Sequence, residues 1–99
     1  MAVALMLEFE GFTADEYDAV NAKINPPGNP PDGLIFHSAG PSPDGGWRIV
    51  DVWESRDHFD RFQAKAIAPA VAEEIGAEEA ERRGPPEITE WAVHNTTTA

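Results

Sequence analysis

Short runs rich in apolar residues occur at four places along the chain, and in two of the stretches between them apolar residues recur every three or four residues. Val3, Leu5, Leu7 and Phe9 take every odd position of the first segment, so Val3–Phe9 is predicted to be a strand, broken by Gly11. Thr13 with Glu16 three residues later has the form of a capping box, and Phe12 or Tyr17, then Val20 and Ile24, follow at helical spacing. The run Pro26-Pro27-Gly28-Asn29-Pro30-Pro31 cannot continue that helix, which is expected to end near Asn25. Residues 34–39 read as a second strand, 40–46 as a hairpin loop rich in Gly, Pro and Asp, and Trp47–Trp53 as a third strand. Ser55 then caps a helix with Phe59, Phe62, Ala66 and Ile67 on one face. Pro69 must kink or restart it, and a further helical piece is expected over 70–83, stopped by Gly84-Pro85-Pro86. Residues 88–94 alternate as a fourth strand, and 95–99 read as a loose tail.

The order βαββαβ predicts a four-stranded antiparallel sheet with both helices on one face, a ferredoxin-like α+β layer formed as one domain over 1–99. Two helices cover only one face of such a sheet. Trp47, Ile49 and Trp53 nevertheless lie on one side of the third strand and Val50 and Val52 on the other, while the fourth strand separates Trp91 and Val93 from Ile88 and Ala92. A bare apolar second face would exceed what soluble monomers usually expose. A homodimer packed sheet against sheet is therefore expected.

Composition narrows the chemistry. Cysteine is absent, which excludes disulfides and thiolate metal or redox sites and makes a reducing cytoplasm the expected location. The net charge of −11, from 18 acids against 7 bases, opposes nucleic acid or anionic lipid as a partner. The apolar start is short, lacks a basic region and runs into Glu8, so it reads as a strand and not as a signal or membrane span. Glu73, Glu74, Glu78, Glu79 and Glu81 read as a solvated helix face. The three histidines have no metal-ligand spacing, so no metal site is expected.

Two residues stand out as candidate catalysts. His37 lies in the middle of the second strand, where a near-neutral imidazole can act as a general base. Asp51, between two valines, is an acid that needs a partner or a shifted pKa. If the hairpin pairs residues whose numbers sum to an even value, His37 and Asp51 share a face with Trp47, Ile49 and Trp53, and the acid can orient the imidazole; an odd sum separates them. The loop length permits either. Tyr17 and Phe62 face inward, as core or pocket wall. Ser55 reads as a cap and His58 as solvated, and Arg48 is a candidate for an anionic ligand group or for an ion pair with a neighbouring acid.

Val52-Trp53-Glu54-Ser55 followed by Phe59, at the junction of the third strand and second helix of a βαββαβ chain of about 100 residues, resembles the dimeric α/β-barrel superfamily. The nearest group is the antibiotic-biosynthesis-monooxygenase-like domains. The resemblance implies a pocket between helices and sheet in each subunit, which Tyr17, Trp47, Trp53, Phe62 and Arg48 would line. It implies a cofactor-free monooxygenase or cyclase acting on an aromatic or polyketide-type molecule, for which His37 and Asp51 are the candidate catalytic residues. The alternative is a non-catalytic dimeric module for a ligand or partner. Haem-degrading members carry a Trp and then a ligating His along the second helix; here Phe62 stands in the Trp position and no histidine follows through Ala72.

Overall fold

The computed structural model describes residues 2–24 and 30–98. The elements are β1 (Val3–Phe9), α1 (Ala14–Ile24), β2 (Leu34–Pro41), β3 (Trp47–Trp53), α2 (Arg56–Phe62), a wide turn of π-helix (Gln63–Ile67), α3 (Ala68–Ile75), α4 (Ala77–Arg83) and β4 (Glu87–Ala92). They form one antiparallel sheet in the order β2-β3-β1-β4, with the helices on one face. This is the ferredoxin-like α+β architecture expected from the sequence.

Local chemistry accounts for the helix starts. At α1 the Glu16 amide donates to Thr13 Oγ1 and the Thr13 amide donates to Glu16 Oε1, the reciprocal capping box. At α2 the Ser55 hydroxyl accepts from the His58 amide. The end of α1 near Asn25 and the first part of the proline run lie outside the described residues.

Three boundaries differ from expectation. β2 continues to Pro41, which an edge strand tolerates because its missing N–H faces no neighbour. The Ser42–Asp44–Gly45–Gly46 turn is then closed by the Ser42 amide to the Gly46 carbonyl at 2.9 Å. The helical stretch over 70–83 is two helices, because Gly76 at φ 90° leaves the helical region between them. β4 stops at Ala92; the Val93 amide still reaches the Ala2 carbonyl at 3.0 Å, and the polar residues beyond have no partner strand.

Pro69 restarts the helix as expected, through a specific device. The Ala68 amide bonds to the Gln63 carbonyl five residues back, so the turn before the proline is wider than an α-turn. That widening accommodates a ring which would otherwise meet the carbonyl four residues earlier.

The core lies between sheet and helices. Leu5, Leu7, Trp53 and Phe59 are fully enclosed, with Phe9, Leu34, Ile49, Phe62 and Ile67 packed around them. On the opposite face, Val52 pairs with both Ala4 and Phe36, and Ala4 also pairs with Trp91. Phe36 and Trp91 are each 47% exposed there. No helix among the described residues is long and apolar enough to cross a membrane.

Candidate functional site

The register of the β2–β3 hairpin decides the site. A bulge between Leu34 and Phe36 shifts the pairing by one, and from Phe36 onward partner numbers sum to an even value, so His37 faces Asp51. With an alternation of two, Trp47, Ile49, Asp51 and Trp53 then point with His37 toward the helices. Without that bulged residue the histidine would turn to the other face.

Asp51 is only 5% exposed, and both its carboxylate oxygens are engaged. His37 Nδ1 lies 2.6 Å from Oδ1, and the Trp53 indole N–H donates to Oδ2 at 3.1 Å. Asp51 and Trp53 are two apart on one strand, hence on one face, which is how the indole reaches the acid. A carboxylate accepts only, so the His37 proton sits on Nδ1 and leaves Nε2 as an acceptor. The Tyr17 hydroxyl, from α1, donates to that Nε2 in a short hydrogen bond. The four side chains thus form a directed series: Trp53 and His37 donate to Asp51, and Tyr17 donates to His37. Burial raises the Tyr17 phenol above its ordinary value, and the charges of Asp51 and Asp18 add to the effect.

This series forms one wall of an apolar cavity between α1, the α2–α3 helix and the sheet. Phe12, Val20, Trp47, Phe59, Phe62 and Ile67 supply much of the rest. The cavity volume is about 70 Å³, room for a few waters or a small ligand fragment. Trp47 packs on Tyr17 with ring centroids 5.1 Å apart. Trp53 packs on Phe59 and Phe62 at 5.9 and 5.5 Å. Trp53 is therefore core and cavity wall at once.

The structure brings together His37, Asp51, Tyr17, Trp47, Trp53 and Phe62, but it does not bring Arg48 to them. Arg48 alternates to the opposite sheet face and pairs with Glu8, its register partner on β1, at 2.8 Å. It is an ion-paired surface residue and not a ligand for this cavity. His58 is also not simply solvated. Its Nδ1 is hydrogen-bonded to the Ser55 hydroxyl at 2.7 Å, and its ring packs over Gly33, whose φ of +84° and closeness to that ring leave no space for a Cβ.

Two polar lining residues escaped the sequence reading, Asn21 and Gln63. Asn21 lies one helical turn beyond Tyr17, a spacing that could have flagged it. Gln63 lies one helical turn beyond Phe59, on the face that also carries Phe62, the same spacing signal.

Among the described residues no cluster of His, Asp and Glu is arranged to hold a metal ion. The residues do not fit a haem either. The α2–α3 wall offers no histidine between Phe62 and Ala72, and both ring nitrogens of His37 are engaged.

The element order, the strand register and a cavity between helices and sheet define a ferredoxin-like fold with one apolar cavity-bearing face. No protein-family model matches the sequence, and no curated protein sequence does. Solved structures do. Rv0793 from Mycobacterium tuberculosis superposes with a TM-score of 0.64 at 18% identity, covering 99% of this chain and 100% of that one. SnoaB, a cofactor-independent oxygenase from Streptomyces nogalater, gives 0.61 at 16% over 96% and 95%. A candidate antibiotic biosynthesis monooxygenase from Chloroflexus aurantiacus gives 0.68 at 13% over 99% and 98%. The fold of this chain is that of the antibiotic-biosynthesis-monooxygenase-like proteins. At these identities the likeness speaks of fold alone.

Proposed function

We propose that this protein is a homodimeric, cofactor-independent enzyme that removes a proton from a neutral aromatic or polyketide-type molecule, the apolar cavity holding the reacting part of it. The observation that carries the reading is the Asp51–His37–Tyr17 series ending at that cavity. A substrate proton passes to the Tyr17 oxygen as the Tyr17 proton moves to His37 Nε2, and the buried Asp51 charge stabilises the imidazolium that results. Apolar walls keep water from the carbanion. In a monooxygenase the carbanion reacts with O₂: a ring CH₂ becomes C=O, one oxygen atom enters the product and the other leaves as water. In a cyclase the same carbanion attacks a carbonyl of its own chain. SnoaB, with this fold, is a cofactor-independent oxygenase, which favours the first course.

Oxygen uptake with anthrone as the probe, which goes to anthraquinone and water, tests the reading. The enzyme is expected to exceed the buffer rate, and His37→Ala to remove about 10²- to 10⁴-fold of the enhancement. Uptake at the buffer rate, or unchanged in His37→Ala, overturns it. A ligand bound but unaltered points to the alternative, a non-catalytic binding module.

The homodimer rests on the second sheet face, where Phe36, Val50, Val52, Met6 and Trp91 form an apolar surface no helix covers. Light scattering is expected to give twice the chain mass of 10.8 kDa. Val52→Lys, at the centre of that face, is expected to return the monomer mass.

A further inference from the structure

The two indoles on the inner face of β3 differ in one respect. The Trp53 N–H is bonded to Asp51, whereas Trp47 Nε1 is buried with no hydrogen-bond partner. Among the described residues it is the buried side-chain donor or acceptor left unsatisfied, and Trp47 is only 8% exposed. Buried donors of this kind nearly always have a partner in native structures. No acceptor of Tyr17, His37 or Asp51 lies within hydrogen-bond reach of it. Trp47 lines the cavity and packs against Tyr17, the residue at the head of the proton series.

We infer that the Trp47 indole N–H is the recognition donor for an oxygen of the ligand, a ketone carbonyl or phenol on an otherwise apolar ring system. This rests on the reading of the cavity as the ligand site. Among the described residues no Lys or Arg lines the cavity and the acid that does is Asp51, so the ligand it accepts is uncharged. An oxygen held by Trp47 lies beside the Tyr17 ring, so a CH₂ next to that carbonyl falls near the residue that takes its proton. As the proton leaves, charge grows on the oxygen, and an N–H already in place stabilises it without an ionic partner. Trp47 is then both the specificity determinant for an oxygenated ring and a stabiliser of the enolate. The bulge in β2 and the alternation of β3 place donor and base on the same face, so a single strand register sets both functions.

The test uses two probes of one carbon frame, 1-tetralone, which carries a carbonyl, and tetralin, which does not. In the ¹H–¹⁵N spectrum of the wild-type protein, with the three indole signals assigned by single Trp→Phe variants, 1-tetralone is expected to move the Trp47 N–H downfield. Tetralin is expected to leave it in place. Trp47→Phe is expected to weaken 1-tetralone binding about tenfold more than it weakens tetralin binding, one neutral hydrogen bond's worth. An unmoved Trp47 signal on 1-tetralone binding, or equal weakening of both probes in the variant, overturns the donor assignment and leaves the cavity reading intact. Binding of neither probe to the wild type overturns the cavity reading, and this inference with it. The wild-type spectrum decides the question even if the variant fails to fold.

Discussion

His37 and Asp51 stand opposite each other on neighbouring strands, with Nδ1 of one 2.6 Å from Oδ1 of the other, while the second oxygen of the acid is held by Trp53. The acid is thus fixed from two sides, and its orientation fixes the imidazole in turn. A proton on Nδ1 commits Nε2 to Tyr17, and the Tyr17 oxygen becomes the outermost atom of the series.

Asp51→Asn keeps the shape of the side chain and breaks that logic. The amide can accept from only one of the two donors, so either the His37 or the Trp53 N–H loses its partner. We expect a loss of about 1–3 kcal/mol in urea unfolding and a fall of at least about 10²-fold in probe turnover. Circular dichroism is expected to remain that of the wild type. Full activity in Asp51→Asn would remove the acid from the mechanism.

Tyr17 carries a pH dependence of its own. Its folded pKa lies above the ordinary phenol value of about 10, first through burial and then through Asp51 and Asp18. The stability linked to its neutral form is complete below that ordinary value and is lost as pH rises through the folded one. Tyr17→Phe has no such proton to lose. Urea unfolding from pH 9 to above 11 is expected to fall less steeply in the variant than in the wild type.

At low pH the sensitive joint is elsewhere. Arg83 of α4 bonds both Glu16 oxygens on α1 and also Glu79, and its hydrogen bonds hold both carboxyls below their ordinary values. A depressed acid contributes stability above its unfolded pKa and loses it as pH falls through the folded one. The protection factors of the α4 amides, each taken against the intrinsic exchange rate at the same pH, are therefore expected to fall at about pH 3–4 relative to pH 7. Glu16→Gln is expected to show the lowered protection already at pH 7.

Gly33→Ala tests the seat of His58. The position has φ +84°, and a Cβ there would fall among the His58 ring atoms. The same residue offers its carbonyl to the Glu54 amide at 2.8 Å, tying the start of β2 to the end of β3. Strain and collision together are expected to cost at least about 1–3 kcal/mol in thermal or urea unfolding. An unchanged midpoint would mean that His58 moves aside freely.

The strands were legible because each is a short run rich in apolar, β-branched and aromatic residues bounded by Gly or Pro, and the starts of α1 and α2 because Thr13–Glu16 and Ser55 are local signals. The hairpin register was not legible. It depends on one bulged residue at Ile35, whose presence is decided by how Leu34 and Phe36 each find a partner on β3. That single parity determines whether His37 and Asp51 meet. Tyr17 was read as an inward aromatic, yet its hydrogen bond to His37 joins residues 20 apart and depends on how α1 lies across the sheet. Arg48 was open to two readings, and the strand periodicity that placed His37 inward placed Arg48 outward, beside Glu8.

Pro69 does not line the cavity, but it reaches it through backbone geometry. An α-helix turns about 100° per residue, and the π-turn at Gln63–Ile67 holds one residue more than the α-helical path between the same ends. Relaxing that turn to α-geometry would rotate α2 by about that angle relative to α3, carrying Phe62 and Gln63 off the wall they now form. A ring without an N–H, two residues into α3, thus acts as the index mark that tells the preceding helix which of its sides to show to the ligand.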